Sequence, residues 1–302
     1  MRTAFIKRLI EIARADKRVV LLTADLGFSV VEPFASEFPD RFYNMGVSEQ
    51  NMVGVAAGLA KDGFFPFVYS IAPFVVLRPY EFIKNGASLQ NLPIRFVAIG
   101  AGLEYGNLGS THHLIEDVAL MRVQPNIEII APVDSKHAVF ALEKTYQNNG
   151  PVYYRIGKND KIVIDGINDF ETEKVQMIKN EGDILILSFG SIAFEAQNAV
   201  KVLEEQGHKV SFGLVTNFSA GLVEDLASLL KKYKAVVTVE AHYLNGGMGS
   251  LVAEVIAENS LDCRLKRLAI RNLSDGVYGS ESFMHKKNKI SADDIVQAVL
   301  EF

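Results

Sequence analysis

The chain has 302 residues, of which 49% are hydrophobic and 22% charged, and its formal net charge is −5. This composition is that of a soluble globular chain long enough for two domains, and its acidic balance argues against a general nucleic-acid or anionic-membrane surface. The single cysteine, Cys263, excludes an intrachain disulfide and any multi-cysteine metal site. Residues 1–16 form a charged amphipathic pattern and no apolar stretch reaches the roughly 18–20 residues of a membrane span, so we expect a cytoplasmic protein.

Strand-length apolar runs alternate with helical patterns in the first half of the chain. The spacing predicts helices over residues 4–15, 31–37, 76–90, 112–121 and 135–147. It predicts strands over residues 19–24, 41–44, 65–70, 94–99, 127–131 and 152–156. Continuous apolar strands that alternate with helices indicate a mainly parallel sheet covered on both faces.

The alternation stops in a polar stretch near residues 159–180 and then restarts. Strands are predicted over 184–188, 209–214, 235–240 and 266–270, and helices over 192–205, 222–231 and 248–258. The sequence therefore predicts an α/β fold with two doubly wound domains. We place the first, mainly parallel domain at residues 1–165, a linker at 166–179, and a second, smaller domain at 180–302.

The segment 41–61, RFYNMGVSEQNMVGVAAGLAK, has the strongest local pattern. Gly46 indicates a turn, Ser48 is a helix N-cap candidate, and Glu49 falls in the first helical turn. Gly54 and Gly58 are four residues apart on one helix face, which predicts that another backbone packs closely there. A first-turn glutamate is also favoured by the helix dipole alone, so the pattern leaves both a capping and a functional role open for Glu49.

Other candidate motifs are weaker. The Gly100-Ala-Gly102 turn is not a dinucleotide fingerprint, because the next glycine, Gly106, comes one residue late. His112 and His113 point about 100° apart on a helix, which disfavours one shared metal and leaves ligand hydrogen bonding or a turn role open. The GGMGS turn at 246–250 precedes a helix and fits either anion binding or tight packing. These residues alone leave the reaction open.

Four segments of the first half carry a family likeness: TADLG; NMGVSEQNMVGVAAGLAKDGFFPFVYS; GSTHHLIEDVALMRVQPNIEIIAPVDS; and GPVYYRIGK. In this order and spacing they resemble the pyrimidine-binding domain of transketolase and its thiamine-diphosphate relatives. The second half, with GDILILSFGS and VTVEAHYLNGGMGS, is similar to the family's C-terminal domain. The resemblance therefore spans nearly the whole chain.

The resemblance implies roles for individual residues. Glu49 matches the glutamate that hydrogen-bonds the aminopyrimidine of thiamine diphosphate and so activates the cofactor. Phe74 is expected to pack on the pyrimidine face, Ile71 fills a neighbouring position that is often aromatic, and Asp25 matches an acidic position near the cofactor. His112 matches a histidine that contacts substrate hydroxyls beside the reacting carbon. The substrate's phosphate end is assigned to Lys158, with Arg155 close by.

The resemblance also implies a partner. Complete family members carry a G-D-G motif, in an N-terminal domain that binds magnesium and diphosphate, whereas Gly182-Asp183 is followed here by isoleucine. The chain therefore looks like the C-terminal subunit of a split transketolase, inactive by itself. We expect an N-terminal subunit that holds Mg²⁺ and the diphosphate, in an α2β2 heterotetramer, and no metal on this chain.

Departures from the family pattern make the substrate less certain than the reaction. Leu108 stands where an acidic residue precedes the G-x-T-H segment, Gly100 replaces a phosphate-contacting histidine, and Lys158 replaces an arginine, which loses a bidentate fork. These changes favour a non-standard or nucleotide-linked sugar. Alternative interpretations are the beta chain of a 2-oxo acid dehydrogenase, a single-chain deoxyxylulose-phosphate synthase, which the missing diphosphate domain disfavours, and a non-catalytic scaffold subunit.

Overall fold

The computed structural model describes residues 1–273 and 275–302. Strands β1–β6 of the first half are Val19–Thr23, Phe42–Asn44, Phe65–Ile71, Arg95–Ile99, Glu128–Ile130 and Val152–Ile156. Strands β7–β12 of the second half are Gln176–Lys179, Ile184–Ser188, Ser211–Leu214, Asn217–Phe218, Ala235–Tyr243 and Arg264–Ile270. Helices α1–α7 are Arg2–Ala15, Glu32–Glu37, Glu49–Lys61, Ala72–Val76, Tyr80–Phe82, Asp117–Arg122 and Ser135–Thr145. Helices α8–α12 are Ala193–Glu205, Ala220–Leu230, Met248–Glu258, Glu281–Lys287 and Ala292–Leu300.

The strands form two sheets in the described part of the chain. The larger has the order β10-β5-β6-β4-β3-β1-β2, and only β10 runs antiparallel to its neighbour. The smaller has the order β12-β11-β8-β9-β7, with β7 antiparallel. Strands β1, β4 and β6 are buried throughout, as their continuous apolar sequences predict. The α/β fold class with a mainly parallel first sheet is confirmed.

The polar stretch between the halves is not irregular throughout. Its last residues, Gln176–Lys179, form the edge strand β7 of the second sheet, although we assigned them to the linker 166–179. The two-residue strand Asn217–Phe218 of the second half joins the first sheet. One apolar cluster also contains side chains from both halves, so the two sheets share part of their core.

Two predicted helices are wrong in their bounds. The helix expected over 76–90 is broken into α4, α5 and a π-helical turn at Ile83–Ser88. Pro79 explains the break, because its ring removes an N–H donor and pushes the preceding residue out of helical geometry. The helix expected over 112–121 starts only at Asp117, and His112 lies in a separate 3₁₀ turn, Ser110–His112.

The glycine face of α3 is not packed against another backbone of this chain. Gly54 and Gly58 are exposed; a Cβ at Gly58 would meet nothing within 4 Å, and one at Gly54 only Phe82, at 3.9 Å. The expectation of close backbone packing is therefore wrong within the described residues. Ser48 does occupy the N-cap position of α3, but its side chain makes no capping hydrogen bond.

Candidate active site

The predicted site residues follow the carboxyl ends of neighbouring parallel strands. Asp25 comes just after β1, Glu49 follows β2, and Ile71 ends β3. His112 lies in the long loop after β4. Because the carboxyl ends of parallel strands meet at one edge of a sheet, the topology brings these four residues to the same edge, where α/β folds place their ligand sites.

Glu49 is a buried carboxylate at the first residue of α3. Its exposure is 1%, which is unusual for a glutamate and requires a compensating partner. That partner is Arg78, whose Nη1 lies 2.7 Å from Glu49 Oε1. Arg78 lies in the turn between α4 and α5, and its side chain is 40% exposed. The carboxylate is thus inside the protein, and the guanidinium reaches it from the surface.

Aromatic and cationic groups extend from this ion pair. The guanidinium carbon of Arg78 lies 4.1 Å from the centre of the Phe74 ring. The edge-to-face contact between Phe74 and the His112 ring has a centroid distance of 5.3 Å. Thus Glu49, Arg78, Phe74 and His112 form one contiguous cluster, in which stacking and cation–π contacts define the ring orientations.

The environment of His112 explains one departure in the sequence. Its Nδ1 is 3.0 Å from Thr111 Oγ1, and its ring centre is 6.2 Å from that of Tyr105. Gly100 has φ +72°, and a Cβ there would come within 2.2 Å of the Tyr105 ring. Tyr105 therefore occupies the space that a larger residue at position 100 would need, and the backbone conformation there also favours glycine.

The other two cofactor candidates lie beside the cluster. Asp25 is exposed, has φ 53°, and pairs with Asn44, whose Nδ2 donates to Asp25 Oδ1 at 3.0 Å. The Asn44 amide oxygen in turn accepts from the Asp25 backbone N–H at 3.1 Å. Ile71 is half-buried and is followed directly by α4, the helix that carries Phe74. The reciprocal Asp25–Asn44 contact holds the turn that leads from β1 towards the site.

A cleft beside Tyr105 carries the predicted phosphate-end residue. Its volume is about 640 Å³, and its walls include Tyr105, Lys158, Lys161 and Glu281. Lys158 is exposed, and its Nζ lies 4.6 Å from the centre of the Tyr105 ring. Its backbone N–H donates to the buried carboxylate of Glu104, which also accepts from Ser191 Oγ at 2.6 Å. Glu104 therefore fixes the backbone from which the Lys158 side chain reaches the cleft.

Arg155 has a different environment from the one expected of a substrate ligand. Its exposure is 3%, and its Nε donates to Asp117 Oδ2 at 2.8 Å. Its Nη2 donates to the carbonyl oxygen of Ala241 at 3.1 Å, and its guanidinium lies over the Phe189 ring. Arg155 thus connects the two halves of the chain from the inside, so this geometry argues against substrate contact.

The GGMGS turn before α10 receives an internal anion. The Glu240 carboxylate accepts hydrogen bonds from the backbone N–H groups of Met248 and Gly249, at 2.8 and 2.9 Å. A Cβ at Gly247 would come within 2.1 Å of the same carboxylate. Burial raises the pKa of Glu240 to about 7. The helix N-terminus therefore binds a side chain of the chain itself, which favours the packing interpretation of these glycines.

The remaining histidines of interest are enclosed. His113, next to His112, is buried against Tyr278, and burial lowers its pKa. His242 is buried with its Nδ1 2.7 Å from the Tyr243 carbonyl oxygen, and burial lowers its pKa as well. His285 is buried beside Glu195, 3.2 Å away. All three have structural surroundings, in agreement with the packing role that the sequence suggests for His242 and His285.

Sequence reasoning missed Arg78, Tyr105, Asp117 and Glu240. An arginine, a tyrosine or a carboxylate outside a motif carries no local signal, because each acts here through a partner distant in the chain. Within residues 1–273 and 275–302, no group of three or more His, Cys, Asp or Glu side chains could hold a metal ion. No helix in the same residues is long and apolar enough to cross a membrane.

Comparison with protein-family models places both halves in one family. Residues 1–161 match the transketolase pyrimidine-binding domain, and residues 173–295 match the transketolase C-terminal domain. The chain belongs to the transketolase family. Membership in this family implies dependence on thiamine diphosphate and supports a transferase role in ketol transfer for this subunit.

Individual relatives match this transketolase chain over nearly their whole length. One of the two apulose-4-phosphate transketolase chains of Actinobacillus succinogenes is 35% identical, covering 98% of this chain and 96% of its own. The 6-deoxy-6-sulfo-D-fructose transketolase subunit SqwH of a Clostridium species is 33% identical, covering 100% and 94%. A solved structure described as a split gene transketolase, inactive beta4 tetramer, is 33% identical with a TM-score of 0.88, covering 99% and 97%. The chain is thus a subunit of the split type, which implies a partner subunit.

Proposed function

We propose that this chain is the C-terminal subunit of a two-chain transketolase that transfers a two-carbon ketol unit from a ketose to an aldose acceptor. The observation that carries the proposal is Glu49, a carboxylate buried at the carboxyl edge of a parallel sheet beside an aromatic ring. A split-type chain of this family provides the context for that carboxylate. We further propose residues 1–165 as its pyrimidine-binding domain, residues 180–302 as its C-terminal domain, and residues 166–179 as the linker between them.

The residues at the sheet edge fit one half of thiamine diphosphate. A buried carboxylate, Glu49, can share a proton with a ring nitrogen, and Phe74 offers an aromatic face to a planar heterocycle. Ile71 adds an apolar wall, and Asp25 a carboxylate at the neighbouring strand end. When bound, thiamine diphosphate supplies the acidic carbon that adds to the ketose carbonyl and retains the two-carbon fragment.

In this proposal each side chain has a defined task. Glu49 holds a proton between its carboxylate and the pyrimidine nitrogen, and its burial strengthens that hydrogen bond by excluding water. His112 contacts substrate hydroxyls beside the reacting carbon. Lys158 attracts the anionic end of the substrate in the cleft beside Tyr105. We propose that a separate N-terminal chain holds Mg²⁺ and the diphosphate, in an α2β2 assembly.

The cleft favours a sugar other than an ordinary pentose or heptose phosphate. The Tyr105 ring occupies the space beside Gly100, and the exposed Leu108 stands where the family pattern has an acidic residue. Two relatives are named for apulose-4-phosphate and a sulfonated fructose, so unusual sugars occur among similar split enzymes. We therefore propose a modified or nucleotide-linked sugar, whose anionic group Lys158 contacts as a point charge.

Reconstitution tests the proposed function. The chain is mixed with the N-terminal transketolase subunit of the same organism, thiamine diphosphate and Mg²⁺, and two-carbon transfer to a panel of aldoses is measured. We expect activity only with both chains, and a loss of about 10²–10⁴-fold in Glu49→Gln. Glu37→Gln is the matched control, since Glu37 is also paired with an arginine, Arg14, but lies on α2.

The same assay separates the alternatives. Decarboxylation of 2-oxo acids without transfer from ketoses would assign the chain to the 2-oxo acid dehydrogenases. Absence of activity together with no uptake of thiamine diphosphate by the assembly would support a scaffold. Equal or better turnover of ordinary pentose and heptose phosphates would contradict the unusual-sugar proposal alone.

A further inference from the structure

We propose that Arg78 takes the place of the cofactor's aminopyrimidine in the unassembled subunit and leaves Glu49 when the cofactor binds between the subunits. The inference rests on the proposed function. It assigns to Arg78 a role as an internal placeholder, which keeps the site closed until the partner and thiamine diphosphate are present.

The contacts of Arg78 are those expected of the pyrimidine ring. Its guanidinium is a planar group that donates from Nη1 to Glu49 Oε1 at 2.7 Å. The same group lies over the Phe74 ring, with the guanidinium carbon 4.1 Å from the ring centre. A hydrogen bond to Glu49 and stacking on Phe74 are the two interactions proposed above for the heterocycle. One guanidinium therefore satisfies both in this chain.

The burial of Glu49 explains why a placeholder is needed. The residue is 1% exposed, and an ionised carboxylate without a partner is strongly disfavoured in such surroundings. Among the residues that the structure describes, the cationic side chain paired with the Glu49 carboxylate is that of Arg78. Arg78 consequently stabilises the ionised form of Glu49 in the chain by itself, before any cofactor is present.

Arg78 is also built to leave. Its side chain is 40% exposed, and it lies between the short helices α4 and α5, next to Pro79 and the exposed Leu77. The side chain can therefore rotate into solvent without moving the buried core. Glu49, in contrast, is held within the first turn of α3. Exchange of the two planar groups on Glu49 thus requires motion of Arg78 only.

Competition of this kind has a measurable consequence. If Arg78 closes the site for most of the time, the apparent affinity for the cofactor is reduced by the fraction of molecules in which the site is open. Removing the guanidinium should raise that affinity. The same change should destabilise the isolated chain, because Glu49 loses its counter-ion.

The experiment compares Arg78→Ala with Arg18→Ala. Arg18 is a matched control, since it also pairs with a carboxylate, Asp16, and lies over an aromatic ring, Phe65, at 4.6 Å, but contacts no proposed site residue. Thiamine diphosphate is titrated calorimetrically into the reconstituted two-subunit assembly, and urea unfolding is followed on each isolated chain. We expect Arg78→Ala to lower the cofactor Kd by about threefold or more and to lower the urea midpoint. Arg18→Ala should leave the Kd unchanged.

An unchanged or raised Kd in Arg78→Ala, with tight binding to the wild-type assembly, would overturn the placeholder and leave the proposed function intact. Arg78 would then remain on Glu49 in the assembled enzyme. If the wild-type assembly itself takes up no thiamine diphosphate, the proposed function fails and the placeholder fails with it. An unchanged urea midpoint would also contradict the inference, because it would show that Glu49 does not need this counter-ion.

Discussion

Asp117 and Arg155 form an ion pair inside the protein, with 2.8 Å between Asp117 Oδ2 and Arg155 Nε and exposures of 0% and 3%. The same carboxylate oxygen accepts from the Tyr153 hydroxyl at 2.7 Å. Asp117 begins α6, directly after the loop that carries His112, whereas Arg155 reaches the Ala241 carbonyl of the second half. The pair therefore anchors the His112 loop to the C-terminal half of the chain.

Breaking this pair should be costly. In Asp117→Asn the buried guanidinium of Arg155 loses its counter-ion, and we expect the free energy of unfolding to fall by about 3–5 kcal/mol. The matched control is Asp165→Asn, since Asp165 pairs with Lys201 at the surface and such pairs contribute about 0–1 kcal/mol. Urea unfolding of the isolated chain measures both. Equal effects of the two substitutions would show that the buried pair contributes no more than a surface pair.

The aromatic face of Phe74 should matter for the cofactor more than for folding. Phe74→Leu keeps an apolar side chain but removes the ring, so we expect cofactor binding to weaken by about 0.5–1.5 kcal/mol, or roughly 2- to 13-fold. Calorimetric titration of thiamine diphosphate into the reconstituted assembly measures the change. Phe194→Leu, at a 40% exposed position on α8, serves as the control. Identical affinities for the two variants would exclude stacking on Phe74.

Glu240 should make stability depend on pH. Its pKa is about 7 in the folded chain, against an ordinary value of 4.5, because the carboxyl is buried. Between about pH 4.5 and 7 the folded chain keeps a proton that the unfolded chain releases, so this contribution to stability is lost as the pH rises through that window. The loss amounts to about 3 kcal/mol.

The variant Glu240→Gln isolates this effect, because glutamine does not titrate. Urea unfolding at several pH values from about 4.5 to 8 should show the wild type losing stability relative to the variant as the pH rises. A constant difference between the two proteins across this range would mean that Glu240 titrates equally in the folded and unfolded chains.

Lys158 should affect substrate binding without affecting the chemistry. In Lys158→Met the cleft beside Tyr105 loses its positive charge while the aliphatic stem remains. We expect the KM for an anionic sugar to rise about fivefold to tenfold, or about 1–1.5 kcal/mol, with little change in kcat. Lys201→Met is the surface control. A fall in kcat at constant KM would place Lys158 in the chemical step instead.

Local sequence pattern predicted most of the secondary structure. Strands 152–156 and 184–188 and helix 248–258 have the expected bounds, because continuous apolar runs and helical periodicity are strong local signals. The breaks near Pro79 and His112 were missed, although the proline itself signals a helix end. Helix α12 was also missed, although its Ser291–Asp294 capping box is visible in the sequence.

The sequence alone also determined the family and the position of the site at the carboxyl ends of the strands. Motifs keep their order and spacing along the chain, and parallel strands bring their ends together whatever the details of packing. The Glu49–Arg78 and Asp117–Arg155 pairs depended on how distant segments fold onto one another. Both the burial of a charge and the choice of its counter-ion are properties of the packed interior, so they emerge only once the chain is folded.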